Sequence, residues 1–266
     1  MESVNKLLDL TGKTAIVTGG GIGIGYGISY RLAEAGANVV IADRSDDGAV
    51  AEKELSSKGF KVISIKTDIA IEQDVKNLID QTIKKYGAID ILVNNAGIYP
   101  DIPVMDMSLE DFDKVLNVNL KGAFLCTKYA SEKMIARKAG GKIINITSID
   151  ALHPSSVGLA HYDASKHGLW GFTKNVALEL APYKIWVNAI APGGILTPGI
   201  QKLQQSMPVP EGVDLQKMMA SFLSKIPMGR LGDPDEIGKA ALFLASDMSS
   251  YMTGSQIVID GGVLLT

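Results

Sequence analysis

Residues 18–25 read TGGGIGIG, with glycine at positions 19, 20, 21, 23 and 25. Glycine costs backbone entropy on folding, so such a cluster marks either a loose linker or a backbone that something must approach closely. The flanking residues decide for the second. Upstream, Thr14-Ala15-Ile16-Val17 is a short apolar run of the kind that forms a buried strand. Downstream, Ile28, Leu32 and Ala35 recur at helical spacing before Gly36. The glycines therefore sit at a strand-to-helix turn, where unpaired N–H groups and the helix dipole attract phosphate.

Outward from this turn, strand-like and helix-like segments alternate along the chain. Strand candidates are residues 15–18, 38–42, 62–65, 91–94, 142–147, 185–190 and 256–259. Between them, Ile71, Val75, Leu78, Ile79 and Ile83 mark one face of a helix closed by Gly87. Ser108, with Asp111 three residues on, opens another helix that is expected to bury Phe112, Val115 and Leu116. Apolar strands separated by amphipathic helices predict βαβ units and a parallel sheet covered on both faces, in one domain spanning 1–266. Residues 198–228 break the pattern: four prolines, with Met207, Met218, Met219 and Met228, and no strand-like run. A long excursion of this composition reads as a substrate lid.

The chain has 266 residues, 46% hydrophobic and 21% charged, with a formal net charge of −3. That charge and the lack of basic blocks argue against a nucleic-acid partner. The start, MESVNKLLDL, lacks a signal-peptide core, and no apolar run is long enough to span a membrane. Cys126 is the single cysteine, which excludes a disulfide framework and points to a reducing, cytoplasmic setting.

The spacing of the glycine turn does not fit the G-x-G-x-x-G fingerprint, but Asp43 ends the second strand, 20 residues beyond Gly23. A carboxylate there can take both ribose hydroxyls of an adenosine and repel a 2′-phosphate, so NAD is expected over NADP. Arg44, next in sequence, is the residue that could favour a 2′-phosphate. A second constellation is HYDASKHG, where Tyr162 and Lys166 lie four apart and share a helix face. A tyrosine hydroxyl titrates near about 10, and a nearby ammonium would lower that value toward general acid/base use. Ser148 follows an apolar strand at its carboxyl end, where its hydroxyl can bond a substrate oxygen. No G-x-S-x-G elbow surrounds it, which disfavours a hydrolase.

With these residues placed, the chain resembles the NAD(P)-dependent short-chain dehydrogenase/reductase family over nearly its whole length. TGGGIGIG, contributing Gly19, Gly21, Ile22, Gly23, Ile24 and Gly25, is similar to the family's cofactor loop. Asp68-Ile69 resembles its adenine-side acidic pair, and Asn94-Asn95-Ala96-Gly97 its NNAG motif. Asn119, Ser148, Tyr162 and Lys166 match its catalytic set. Pro192, Gly193, Ile195 and Thr197 match positions around the nicotinamide carboxamide, and Asp260-Gly261-Gly262 its closing turn.

The resemblance implies a Rossmann-type, doubly wound, seven-stranded parallel sheet and a homotetramer. It implies hydride exchange between the nicotinamide and a small-molecule alcohol or carbonyl substrate, with Tyr162 as general acid/base and no metal. Lys166 would hold the nicotinamide ribose, and Asn119 would lead protons to solvent through water. The Ser148-to-Tyr162 interval of 14 positions is one residue longer than the family's usual spacing. The extra residue falls in a substrate wall, where Asp150, His153 and His161, with Gly194, could face the ligand and suit a sugar or polyol. An NAD-dependent alcohol or sugar dehydrogenase is thus the first expectation. The alternatives are an NADP-dependent carbonyl or 3-oxoacyl reductase, and a catalytically silent NAD(H)-binding sensor or scaffold.

Overall fold

The seven apolar runs become seven strands: β1 (Thr14–Thr18), β2 (Asn38–Asp43), β3 (Val62–Lys66), β4 (Ile91–Asn94), β5 (Gly141–Ile146), β6 (Ile185–Pro192) and β7 (Gln256–Ile259). They form one parallel sheet in the order β3-β2-β1-β4-β5-β6-β7. The computed structural model describes residues 1–199 and 223–266, so all but the ends of the 198–228 excursion lie outside the described residues. The helices are α1 (Val4–Leu8), α2 (Gly23–Glu34), α3 (Asp47–Ser57), α4 (Glu72–Tyr86), α5 (Leu109–Leu116), α6 (Ala123–Arg137), α7 (Ala160–Leu180) and α8 (Pro234–Ala245). This is the single Rossmann-type domain expected from the sequence.

Both faces of the sheet are buried, which is why the strands read as continuous apolar runs. Ala15, Val17, Val39 and Ile41 point into one core with Ile28 and Leu32 of α2 and Ile237 of α8. Ile16 and Val40, from the alternate positions, point into the other with Leu78 and Ile79 of α4 and Met134 of α6. Cys126 lies in this second core, and burial pushes its thiol up to about 12, so it is an inert packing residue.

Local signals set the helix ends. Gly87 caps α4 at φ 78°, a left-handed conformation that glycine adopts without strain. Ser108 and Asp111 form a reciprocal capping box at the start of α5. Of the three residues expected to be buried there, only Val115 is fully so; Phe112 and Leu116 are half-buried. Strand order reverses between β1 and β4, and the carboxyl ends of the strands at that point open a crevice, the position at which doubly wound sheets bind ligands.

Candidate active site

A cavity of about 530 Å³ fills that crevice, running from the glycine turn past Asp43 and Asp68 to Ser148, Tyr162 and Thr197. At its β1 end the backbone itself is the wall. Gly19 and Gly23 have φ of 60° and 56°, conformations costly for other residues. A Cβ on Gly25 would overlap the Gly19 carbonyl and lie 2.6 Å from Asn95 Nδ2. Ile22 precedes α2 without a side-chain cap, so no side chain of its own competes for the first-turn amides of the helix. Asn95 straps this turn to β4: its Nδ2 donates to the Thr18 and Gly19 carbonyls at 2.9 and 3.1 Å. The Asn95 and Ala96 amides both donate to Thr18 Oγ1.

Asp43 is buried against this turn. Its Oδ2 accepts from the Gly21 amide at 3.2 Å, and its Oδ1 accepts from the Ser45 amide and hydroxyl at 3.0 and 2.9 Å. Gly21 is not on the cavity lining; its amide holds Asp43, and a Cβ there would meet the Gly48 amide nitrogen at 2.6 Å. Arg44 projects outward, with Nη1 3.9 Å from Asp68 Oδ2. Asp68, Ile69, Ala96 and Gly97 line the cavity beyond. These features fit a dinucleotide, with a tight glycine cradle for phosphates and a carboxylate at the place of the adenosine ribose. Among the described residues no group of His, Cys, Asp and Glu side chains is placed to hold a metal.

The other end carries side-chain chemistry. β5 delivers Ser148, buried and facing the cavity, whereas the Thr147 hydroxyl is bonded to Ile190 O at 2.9 Å. Helix α7 presents Tyr162 and Lys166 from adjacent turns, with Lys166 Nζ 5.6 Å from the Tyr162 ring centroid. Burial depresses Lys166 to about 8, against the opposing pull of the Asp150 carboxylate. Its ammonium donates to Ile146 O at 2.8 Å. Burial also pushes the Tyr162 hydroxyl well above the usual tyrosine range; Ser148 opposes that shift, and Asp150 adds to it. The net direction is upward, and burial is its main cause.

Asn119 lies in a π-helical turn, Asn117–Gly122, inserted between α5 and α6. The extra residue of such a turn turns the side chain out of the helical register, a device frequent at functional sites. Asn119 Oδ1 accepts from the Ile98 amide at 2.8 Å, and its Nδ2 donates to Ile98 O and Ser165 Oγ at 2.9 and 3.0 Å. Ser165 in turn donates to the Tyr162 carbonyl at 2.6 Å. Asn119 is therefore joined to α7 through Ser165, a residue sequence reasoning missed. Tyr99 was missed too: its ring packs edge-on against Tyr162 at 6.0 Å between centroids.

The remaining candidates separate. Pro192, Gly193, Ile195 and Thr197 line the cavity at the end of β6. Gly194 does not; its carbonyl accepts from the Gly232 amide in the neighbouring loop. Asp150 is buried on the cavity wall and accepts the Ser148 hydroxyl proton at 2.7 Å. His153 is exposed, its ring beside Pro154 O, and His161 is buried away from the cavity lining.

A fold and site of this kind define a nicotinamide-dependent oxidoreductase. A family model described as enoyl-(acyl carrier protein) reductase matches residues 20–264. The chain belongs to the short-chain dehydrogenase/reductase family. It is 40% identical over 257 residues to the 3-oxoacyl-[acyl-carrier-protein] reductase FabG of Thermotoga maritima, covering 96% of this chain and 99% of the relative. It is equally identical, over the same length, to oxidoreductase UcpA of Salmonella typhimurium, covering 96% of each. A short-chain dehydrogenase/reductase from Mycobacterium marinum superposes with a TM-score of 0.91 at 38% identity, over 99% of this chain and 100% of that one. A provisional NAD(P)-dependent gluconate 5-dehydrogenase from Beutenbergia cavernae, with NADP bound at low occupancy, gives 0.88 at 33% identity over 98% and 100%.

Proposed function

We propose that the chain reduces a ketone to a secondary alcohol, with Tyr162 as proton donor and 3-oxoacyl compounds as the favoured substrate class. The observation that carries this reading is the convergence of Ser148, Tyr162 and Lys166 on one cavity wall. Tyr162 stands half-buried on the cavity wall, and ketone reduction needs an acid at the developing alkoxide. A nicotinamide nucleotide held along this cavity would supply the hydride. Tyr162 delivers the proton to the substrate oxygen, and Lys166 holds the ribose beside it and steadies the phenolate left behind. Asn119 and Ser165 tie the Lys166 turn of α7 to the loop after β4, which keeps the donor aimed. The same steps in reverse oxidise an alcohol.

The substrate class leans on the relatives named 3-oxoacyl reductases, which support reduction more than the sugar or polyol oxidation expected from the loop after β5. A sugar-acid dehydrogenase is the second reading, favoured by the gluconate-type structures. For the cofactor, the Asp43 carboxylate supports NAD(H), while relatives solved with NADP support the phosphorylated form. Residues of the long helices would assemble the homotetramer.

Initial rates with NADH and NADPH, against 3-oxoacyl esters and thioesters and a set of keto sugars, test the reading. NADH consumption is expected with the 3-oxoacyl set, and Tyr162→Phe is expected to lose about 10²- to 10⁴-fold in rate with nucleotide binding retained. A Tyr162→Phe enzyme within twofold of the parent would remove Tyr162 from the chemistry.

A further inference from the structure

The Ser148 hydroxyl has one proton, and its neighbours decide where that proton points. Ser148 Oγ lies 2.7 Å from Asp150 Oδ2, to which it donates, and accepts from the Asp150 amide at 3.1 Å. A hydroxyl-to-carboxylate bond of this kind is charge-assisted and about twice as strong as a bond to a neutral carbonyl. Asp150 is only 7% exposed, and its other oxygen accepts from the Ser155 amide at 3.0 Å. The turn of 3₁₀-helix at Ile149–Ala151 bends it back over Ser148. No ion pair neutralises Asp150 among the described residues; the cation facing it is Lys166, already bonded to Ile146 O.

We propose that Asp150 is a positioning residue, whose carboxylate takes the Ser148 proton, turns the serine lone pairs toward Tyr162 and so keeps Tyr162 a proton donor. This rests on the reductase reading above and explains the direction of reaction it favours. Ser148 favours a Tyr162 phenolate by turning its proton to it, and the bond to Asp150 competes for that proton. Asp150 also places negative charge beside the phenolate. The charged and titratable groups around Tyr162 are Asp163 and Lys166 from α7, Asp150 from the 3₁₀ turn and Tyr99 from the loop after β4. Asp163 faces His161 and His167 on its own helix as well as Asp150. Of these, Asp150 alone both bonds Ser148 and acts on Tyr162, so changing it isolates the effect.

The test is an ultraviolet titration of tyrosinate in the binary complex with whichever oxidised nucleotide the initial rates select. Each protein is compared with its own Tyr162→Phe counterpart from about pH 6 to about pH 12. In Asp150→Asn the Tyr162 midpoint is expected about one unit lower than in the parent, because a like charge has gone and the Ser148 proton is released. The acidic limb of alcohol oxidation should move with it. Asp150→Ser, which removes the charge with a smaller side chain, should shift the midpoint the same way and covers a failure of the asparagine variant to fold. A midpoint that stays or rises in both variants overturns the proposal while leaving Tyr162 as the acid. A Tyr162 signal absent below about pH 12 in parent and variants, together with an active Tyr162→Phe enzyme, overturns the reductase reading itself.

Discussion

The turn after β1 and the turn after β5 open on the same cavity, yet they use different parts of the polypeptide. In the first, the working surface is backbone: Gly19 and Gly23 take positive φ, Gly21 and Gly25 have no space for a Cβ, and Asn95 straps the turn to β4. In the second, the working surface is side chains that are costly to bury: Ser148, Asp150, Tyr162 and Lys166. The first turn achieves its function by being small, and its failure mode is steric. The second achieves it by desolvation, so its failure mode is electrostatic.

The steric half is the easier to break. An alanine at Gly25 would drive its Cβ into the Gly19 carbonyl, with Asn95 Nδ2 closing the way out at 2.6 Å. The Gly19 carbonyl is backbone and Asn95 Nδ2 is pinned by its bonds to the Thr18 and Gly19 carbonyls, so relief requires the β1 turn to open. Gly25→Ala is expected to cost about 4 kcal/mol or more, at the extreme of single substitutions. Thermal or denaturant melting checks this. A variant that melts with the parent would mean the turn yields freely and is no fixed cradle.

The electrostatic half answers to pH instead. Lys166 titrates at about 8 when folded, below the ordinary lysine value of about 10.4, so between those values the unfolded chain binds more protons. Stability from this group is complete above the unfolded value and is lost as pH falls through the folded one. The parent should therefore gain about 2 kcal/mol relative to Lys166→Met on going from about pH 7 to about pH 10. Urea titrations of the nucleotide-free proteins at both pH values measure it. Parallel stabilities would show that the ammonium is solvated rather than strained.

The same contrast explains what was legible in the sequence. The fold was, because both kinds of segment repeat their apolar period: β1, β4 and β7 fall within a residue of the expected bounds, and Gly87 and Ser108 cap the helices as their chemistry requires. The shape of the glycine turn was legible for a related reason, since a glycine that must be small is visible as a glycine. What stayed hidden depends on contacts distant in sequence. NVNLKG carries no local mark of a π-helical turn; that turn is held by Asn119 bonding both backbone groups of Ile98. The loop after Ser148 gave residue types but no directions, so Asp150 and His153 looked alike. The 3₁₀ turn sends one inward to Ser148 and leaves the other in solvent.

Asp43 crosses the line between the two halves, being a buried carboxylate that bonds the steric turn. Its carboxylate accepts from the Gly21 amide and from Ser45, so part of its role is to hold the loop. Loop holding affects both nucleotides alike, whereas repulsion of a 2′-phosphate affects one. Asp43→Ala separates the two. If the carboxylate selects the nucleotide, the ratio of kcat/KM for NADH to that for NADPH should fall about tenfold, equivalent to about 1.4 kcal/mol. With Arg44 held loosely by Asp68 at 3.9 Å, a guanidinium is at hand to accept the phosphate once the carboxylate is gone. If instead both values fall together and the ratio stands, Asp43 is a strut of the glycine turn, and nucleotide choice lies elsewhere on the wall.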